Sequence, residues 1–150
     1  MTKHLILILI LILTTGGLSS LFVQEGLSAW YLAYPSKPAI TPPSIIFSLA
    51  WIIIYTLLTI STFIVIKKAD KKLPIYSIFS YQLALQILWC WAFFKMQSIL
   101  AGLIIILSLD LAVFIQAKMY HKISKTACYT LIPYYLWITF ATILNICFLV

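Results

Sequence analysis

Residues 43–66 read PSIIFSLAWIIIYTLLTISTFIVI, a run of 24 residues without a charge that stops against Lys67 and Lys68. A helix needs about 20 predominantly apolar residues to cross a hydrocarbon core about 30 Å thick. The stretch meets that length with charge only at its edge, so it reads as a membrane-spanning helix. The same pattern recurs upstream at about 5–23 and downstream at about 73–94, 99–117 and 127–150. The expected fold is therefore an all-α membrane protein, a bundle of five transmembrane helices forming one domain over residues 1–150. No alternating ten-residue pattern suggests a barrel, and open strands would leave backbone groups unpaired in lipid.

Composition supports lipid as the solvent. Hydrophobic residues make up 64% of the 150 and charged residues 9%, against about 25% charged in a soluble domain. The net charge of +7 comes from ten lysines and no arginine, clustered in short segments between apolar runs. Base readout leans on arginine, so a nucleic-acid partner is not expected. Lysine at membrane ends instead sets topology and meets lipid head groups. Cys90, Cys128 and Cys147 lie in apolar stretches without a CxxC pair and read as small hydrophobes. His4 and His121 lack ligand partners, so no metal site is expected, and no obligatory cofactor. No GxSxG, HExxH, phosphate loop or dinucleotide fingerprint occurs. Three acids and two histidines leave almost no material for general acid–base catalysis.

The first run has the look of a signal peptide, with Lys3 and His4 before an apolar core and small residues at 14–17. Its apolar character continues through Leu18, Leu21, Phe22 and Val23 without an AxA site, so retention is expected. If five spans alternate, Lys3, Lys67, Lys68, Lys71, Lys72, Lys118, Lys122 and Lys125 share one side. The positive-inside rule then puts the N-terminus in the cytoplasm of a bacterial inner membrane, with a mitochondrial outer membrane as the alternative.

The longest connection, about 24–42, reads QEGLSAWYLAYPSKPAITP. Loops of that length between neighbouring helices are often functional. Trp30, Tyr31 and Tyr34 suit head-group depth, and Pro35, Pro38, Pro42 and Pro43 stiffen the segment. Thr41 is a candidate cap for the second helix, with prolines in its first turn. The loop reads either as an interfacial anchor or as a lid over a cavity, with Trp30, Tyr31, Lys37, Pro38, Pro42 and Pro43 as lid residues.

Three helices carry aromatic or amide stripes. Phe47, Trp51 and Tyr55 are spaced i, i+4, i+8. Gln82, Gln86 and Trp89 are spaced i, i+4, i+7. Pro133, Trp137, Ala141 and Leu144 form a third stripe beside Asn145. Amides prefer a bundle interior to lipid, so the stripes read either as ordinary packing or as three walls of a cavity for a flat, apolar ligand. Asp110 is the only acid inside a span. Its insertion cost of roughly +3 kcal/mol is outweighed by twelve Leu, Ile, Val or Phe neighbours in that span at roughly −0.3 to −0.6 kcal/mol each. It reads as a functional acid or as a buried, protonated packing residue, with Gln86, Asn145 or a tyrosine hydroxyl as partner.

Residues 30–55, WYLAYPSKPAITPPSIIFSLAWIIIY, resemble the TspO/MBR family, the tryptophan-rich sensory proteins, translocator proteins and peripheral-type benzodiazepine receptors. That family shows WY, then KPxWxPP, then F, W and Y at helical spacing. Residues 81–94, YQLALQILWCWAFF, look like its third-helix motif, and residues 131–145, LIPYYLWITFATILN, look like its fifth-helix signature. Order and spacing agree along nearly the whole chain from Gly16.

The resemblance implies a five-helix bundle whose pocket is closed by the first loop and takes porphyrins, haem-pathway tetrapyrroles, sterols or isoquinoline and benzodiazepine drugs. It also implies a homodimer. Carried over, the pocket comprises Phe47, Ser48, Trp51, Trp89, Trp137, Phe140, Ala141 and Leu144, to which the stripes add Tyr55 and Gln86. Trp51 and Trp137 match the pair linked in some bacterial members to light-dependent porphyrin breakdown, and would be catalytic only in that activity.

Some positions depart from the pattern. Ile40 replaces the tryptophan of KPxWxPP, Gln86 stands where Asn is common, and Ile87 where Trp is common. Asp110 is not the counterpart of the family's helix-four acid, which falls near Ile105. The chain ends ILNICFLV without the Tyr and Arg of the animal cholesterol motif, which argues against sterol binding. The expected function is a membrane tetrapyrrole sensor, buffer or transporter with porphyrin or haem as ligand. The alternatives are light- and oxygen-dependent porphyrin degradation and a non-catalytic regulatory or interaction subunit, for which Gly16 and Ser20 permit close helix contact.

Overall fold

Six helices account for most of the chain in a computed structural model that describes residues 2–34 and 38–149. They are α1 (Thr2–Gly26), α2 (Ser44–Lys68), α3 (Leu73–Cys90), α4 (Ile99–Ile123), α5 (Lys125–Tyr129) and α6 (Ile132–Leu149), with no strand among the described residues. Together they make five helices long and apolar enough to cross a membrane, α5 and α6 forming the fifth span. The five-helix bundle expected from hydropathy is the fold observed.

The punctuation is local chemistry. Pro43, in extended conformation with ψ 148°, is the cap position of α2, and its carbonyl accepts the Ile46 N–H at 2.9 Å. Thr41 does not cap: no side chain does so, and the Thr41 N–H closes a turn on the Pro38 carbonyl at 3.0 Å instead. The prolines precede the helix rather than occupying its first turn. Ser98 and Ser124 cap α4 and α5 through their hydroxyls, each satisfying an otherwise orphaned N–H. The last span breaks at Thr130–Leu131 because Pro133, one residue into α6, has no N–H to return to the preceding turn. The first connection is shorter than its composition suggests. α1 runs to Gly26 and continues as a π-helical turn over Leu27–Tyr31. A second π-helical turn, Trp91–Lys95, ends α3, and Gln97 at φ 55° turns the chain into α4.

Contacts order the spans in a ring: α1 lies beside α2 and α3, α4 beside α3 and α6, and α2 beside α5 and α6. Successive spans two and three touch only weakly across the ring. Outward faces are aliphatic, as with Ile45, Leu49, Ile52, Ile53 and Ile60 on α2 and Leu100, Ile104, Leu107 and Leu111 on α4. Lipid covers such residues at no cost, and helices apolar all round are what a bilayer demands. Inside, the helices are stitched by polar side chains. Tyr134 donates to Gln82 at 2.5 Å, Tyr120 to Thr62 at 3.0 Å, and Ser61 to the Ala127 carbonyl at 2.6 Å. Asn145 donates to the Ile99 carbonyl at 2.9 Å and accepts from Trp89 at 3.3 Å.

Asp110 belongs to this stitching. Thr142 donates to it at 2.6 Å and Thr139 at 3.4 Å, both from α6. Its partners are these hydroxyls one helix away, rather than Gln86, Asn145 or a tyrosine, because α4 packs its Asp110 face on α6.

Candidate functional site

Where α1 and α2 face each other they do not close. A cavity of about 290 Å³ lies between them, with Gly16, Ser19, Ser20, Val23 and Gln24 of α1 and Leu27 of the π-helical turn as its first wall. Ser44, Phe47, Ser48, Trp51, Ile52 and Tyr55 form the α2 wall, and Cys90 of α3 closes the back. The α1 residues recur at helical spacing, and the smallest, Gly16, lies against the Tyr55 ring. A Cβ there would stand 3.1 Å from the Tyr55 ring. Ser20, Ser44, Ser48 and Ile52 are exposed, so the cavity opens sideways, toward the medium that surrounds the helices.

The aromatic residues form a connected layer. Trp51 lies 5.4 Å from the Tyr55 ring, inclined by 30°. Behind it Trp137 meets Trp51 edge-on at 6.5 Å and Phe47 edge-on at 5.6 Å. Gln86 donates to the Tyr55 hydroxyl, holding the ring at the cavity wall. The Trp137 indole N–H and the Gln86 amide oxygen are buried without a protein partner among the described residues.

Of the expected pocket residues, Phe47, Ser48, Trp51 and Tyr55 line the cavity. Gln86 and Trp137 stand one side chain behind it. Trp89, Phe140, Ala141 and Leu144 do not reach it. Trp89 stacks on Phe93 at 5.6 Å and 17° while bonding Asn145, and Phe140 packs on Trp137 at 5.6 Å. The three-walled cavity expected between spans two, three and five is thus replaced by one between spans one and two. Span three reaches this cavity only through Cys90, with Gln86 behind Tyr55, and α6 stands behind the α2 wall with Trp137 and Tyr134. The α1 wall was missed, although the spacing of Gly16, Ser19, Ser20 and Val23 on one helix face was readable.

At the end of the bundle that carries the first connection, aromatic side chains form a plug. Tyr31 is fully buried, stacked on Phe148 at 5.1 Å and in contact with Phe47, Phe93 and Phe94. Burial pushes its hydroxyl above the ordinary tyrosine range, with Thr41 drawing it the other way, so it stays neutral at physiological pH. Trp30 donates its indole N–H to the Phe94 carbonyl at 2.9 Å. Gly26 makes this docking feasible, since a Cβ there would sit 2.6 Å from the Phe94 Cβ and 2.7 Å from its carbonyl oxygen. Pro42 is half-buried and Pro43 exposed at the start of α2, and Pro38 is half-buried. Lys37 and Pro35 lie outside the described residues. The plug borders the cavity through Phe47 and Leu27.

No trio of His, Cys, Asp or Glu suited to a metal occurs among the described residues.

The TspO/MBR family profile matches residues 6–150. The chain belongs to the TspO/MBR family. A protein named Tryptophan-rich protein TspO from Archaeoglobus fulgidus is 36% identical over 137 residues, 89% of this chain and 87% of the relative. Its namesake from Chlorobaculum tepidum is 33% identical over 138 residues, 90% and 87% of the two chains. Protein CrtK of Rhodobacter capsulatus is 29% identical over 120 residues, 78% and 74%. With five apolar spans, family membership makes this an integral membrane protein.

Proposed function

We propose that this family member binds a tetrapyrrole of the haem pathway in the α1–α2 cavity and acts as a membrane sensor, buffer or transporter of it. The observation that carries the reading is the cavity's α2 wall, where Phe47, Trp51 and Tyr55 stand at successive helical turns, backed by Trp137. Flat aromatic walls suit a flat macrocycle, and the sideways opening suits a ligand that arrives dissolved in lipid. Ligand sites generally span about 300–1,000 Å³. A cavity of about 290 Å³ accepts one edge of such a ring and leaves the rest projecting through the sideways opening. The hydroxyls of Ser44 and Ser48 offer polar contacts at the mouth. A name such as Tryptophan-rich sensory protein, carried by a Cereibacter sphaeroides relative 30% identical over 112 residues, agrees with the sensory role. The lysine distribution supports a bacterial inner membrane with the N-terminus in the cytoplasm. A homodimer is part of the same reading.

Titrating purified protein with protoporphyrin IX and following the Soret band tests it. A saturable shift is expected, with Kd raised about tenfold or more in Trp51→Ala, about 1.4 kcal/mol of lost stacking. No saturable shift, or one indifferent to Trp51→Ala, overturns the site.

A second reading draws on the contact of Trp51 with Trp137: light-dependent oxidation of the bound porphyrin, with molecular oxygen as the oxidant and Trp51 at the cavity wall, backed by Trp137, as the indole pair beside it. Illuminated Trp51→Phe protein should consume porphyrin more slowly than wild type. Equal rates would remove this reading and leave binding untouched.

A further inference from the structure

At the end opposite the plug, a groove of about 620 Å³ lies between the C-terminal turns of α2 and α4 and the first turn of α3. Lys68, Lys71 and Lys122 stand around it, Asp70 lies at its edge, and Ile75 and Met119 are among its apolar lining residues. The bland account of these lysines is that they only set topology. Two observations go further. First, two of the other lysines at this end are engaged with rings: Lys67 lies over the Phe63 ring at 5.6 Å and Lys118 over Phe114 at 4.5 Å. Lys68, Lys71 and Lys122 have no such ring, and the one ion pair among the described residues, Lys95 with Glu25 at 3.3 Å, is at the other end. Second, three unpaired ammonium groups share a concavity with aliphatic side chains at the depth where helices leave the hydrocarbon. Charge beside an apolar lining is the chemistry of a lipid head group and the first carbons beneath it.

We propose that this groove holds the head group of an anionic phosphodiester lipid of the phosphatidylglycerol type. The phosphate sits among the three ammonium groups, and the glycerol backbone lies on Ile75 and Met119. Asp70 sets the selectivity. Its carboxylate accepts hydrogen bonds from head-group hydroxyls and repels the second charge of a phosphomonoester, so phosphatidylglycerol is preferred to phosphatidic acid.

Native mass spectrometry of the full chain in detergent, titrated with phosphatidylglycerol or phosphatidylcholine of equal chain length, tests the proposal. Lysines near a charged surface each contribute about fivefold, so phosphatidylglycerol should be retained at least about tenfold better. The Lys68→Gln/Lys71→Gln/Lys122→Gln variant should lose that preference. The Lys3→Gln/Lys118→Gln/Lys125→Gln variant, with the same charge removed from the same end, should keep it. Equal loss in both variants means diffuse surface charge and overturns the groove. Should the first triple variant fail to fold by circular dichroism, the single Lys122→Gln variant carries the comparison. Competition by inorganic phosphate as strong as by the lipid would assign the groove to a soluble anion and overturn the lipid. Asp70→Asn should raise retention of phosphatidic acid relative to phosphatidylglycerol, and an unchanged ratio overturns the selectivity.

Discussion

Two halves of this bundle are built on different terms. Around α3, α4 and α6 the helices meet through buried polar pairs and stacked rings, such as Trp89 with Asn145 and Phe93, Tyr134 with Gln82, and Asp110 with Thr142. About half of the α3 span is buried within the protein, against about a fifth of the α1 span. Between α1 and α2 the small residues Gly16, Ser19 and Ser20 face the rings of α2, the hydroxyl of Ser20 returns to its own helix at the Gly17 carbonyl, and the space left over is the cavity. Lipid tails are as apolar as leucine, so helices in a bilayer gain from dense packing and interhelical hydrogen bonds rather than from escaping water. The half that has both holds the structure. The α1–α2 face is where the cavity remains.

Breaking the packed half should cost most at its junction with the plug. Gly26→Ala drives a Cβ into the backbone of Phe94 and should destabilise by about 3 kcal/mol or more, the upper range for overpacking. A thermal midpoint in detergent equal to wild type would mean the α1 end is not anchored there. Next comes Asn145→Ala, which strands the buried Trp89 N–H and removes the side-chain bond to the Ile99 carbonyl. Unpaired buried groups cost about 1–3 kcal/mol, and a loss below that in the same melt would show the stitching to be incidental. The smallest effect on stability is expected on the open side. Ser20→Leu should shift stability by less than about 1 kcal/mol, as for exposed positions, yet fill the cavity and abolish the protoporphyrin titration. A variant that still binds as wild type does would move the site away from the α1 wall.

Particular residues mark where sequence reading stopped. Trp51 and Tyr55 stand where the stripe on span two placed them, because that stripe names one helix face. Trp89, Ala141 and Leu144 sit in stripes of the same form and are buried, yet they do not line the cavity. A stripe states that residues share a face and is silent about which neighbour that face meets. Gly16 was legible as a close-approach position, and the ring it approaches within this chain is that of Tyr55.

What the sequence alone determined was the number of spans, their approximate ends and the family, since hydropathy, proline placement and motif order act within a segment or along the chain. The ring order of the helices, the position of the cavity and the partners of Asp110 belong to the tertiary structure. Apart from a few amides and hydroxyls these helices are apolar all round, so little in the sequence says which neighbour a face will meet. Which faces meet is decided when glycines, hydroxyls and rings on separate helices find complementary shapes and hydrogen bonds.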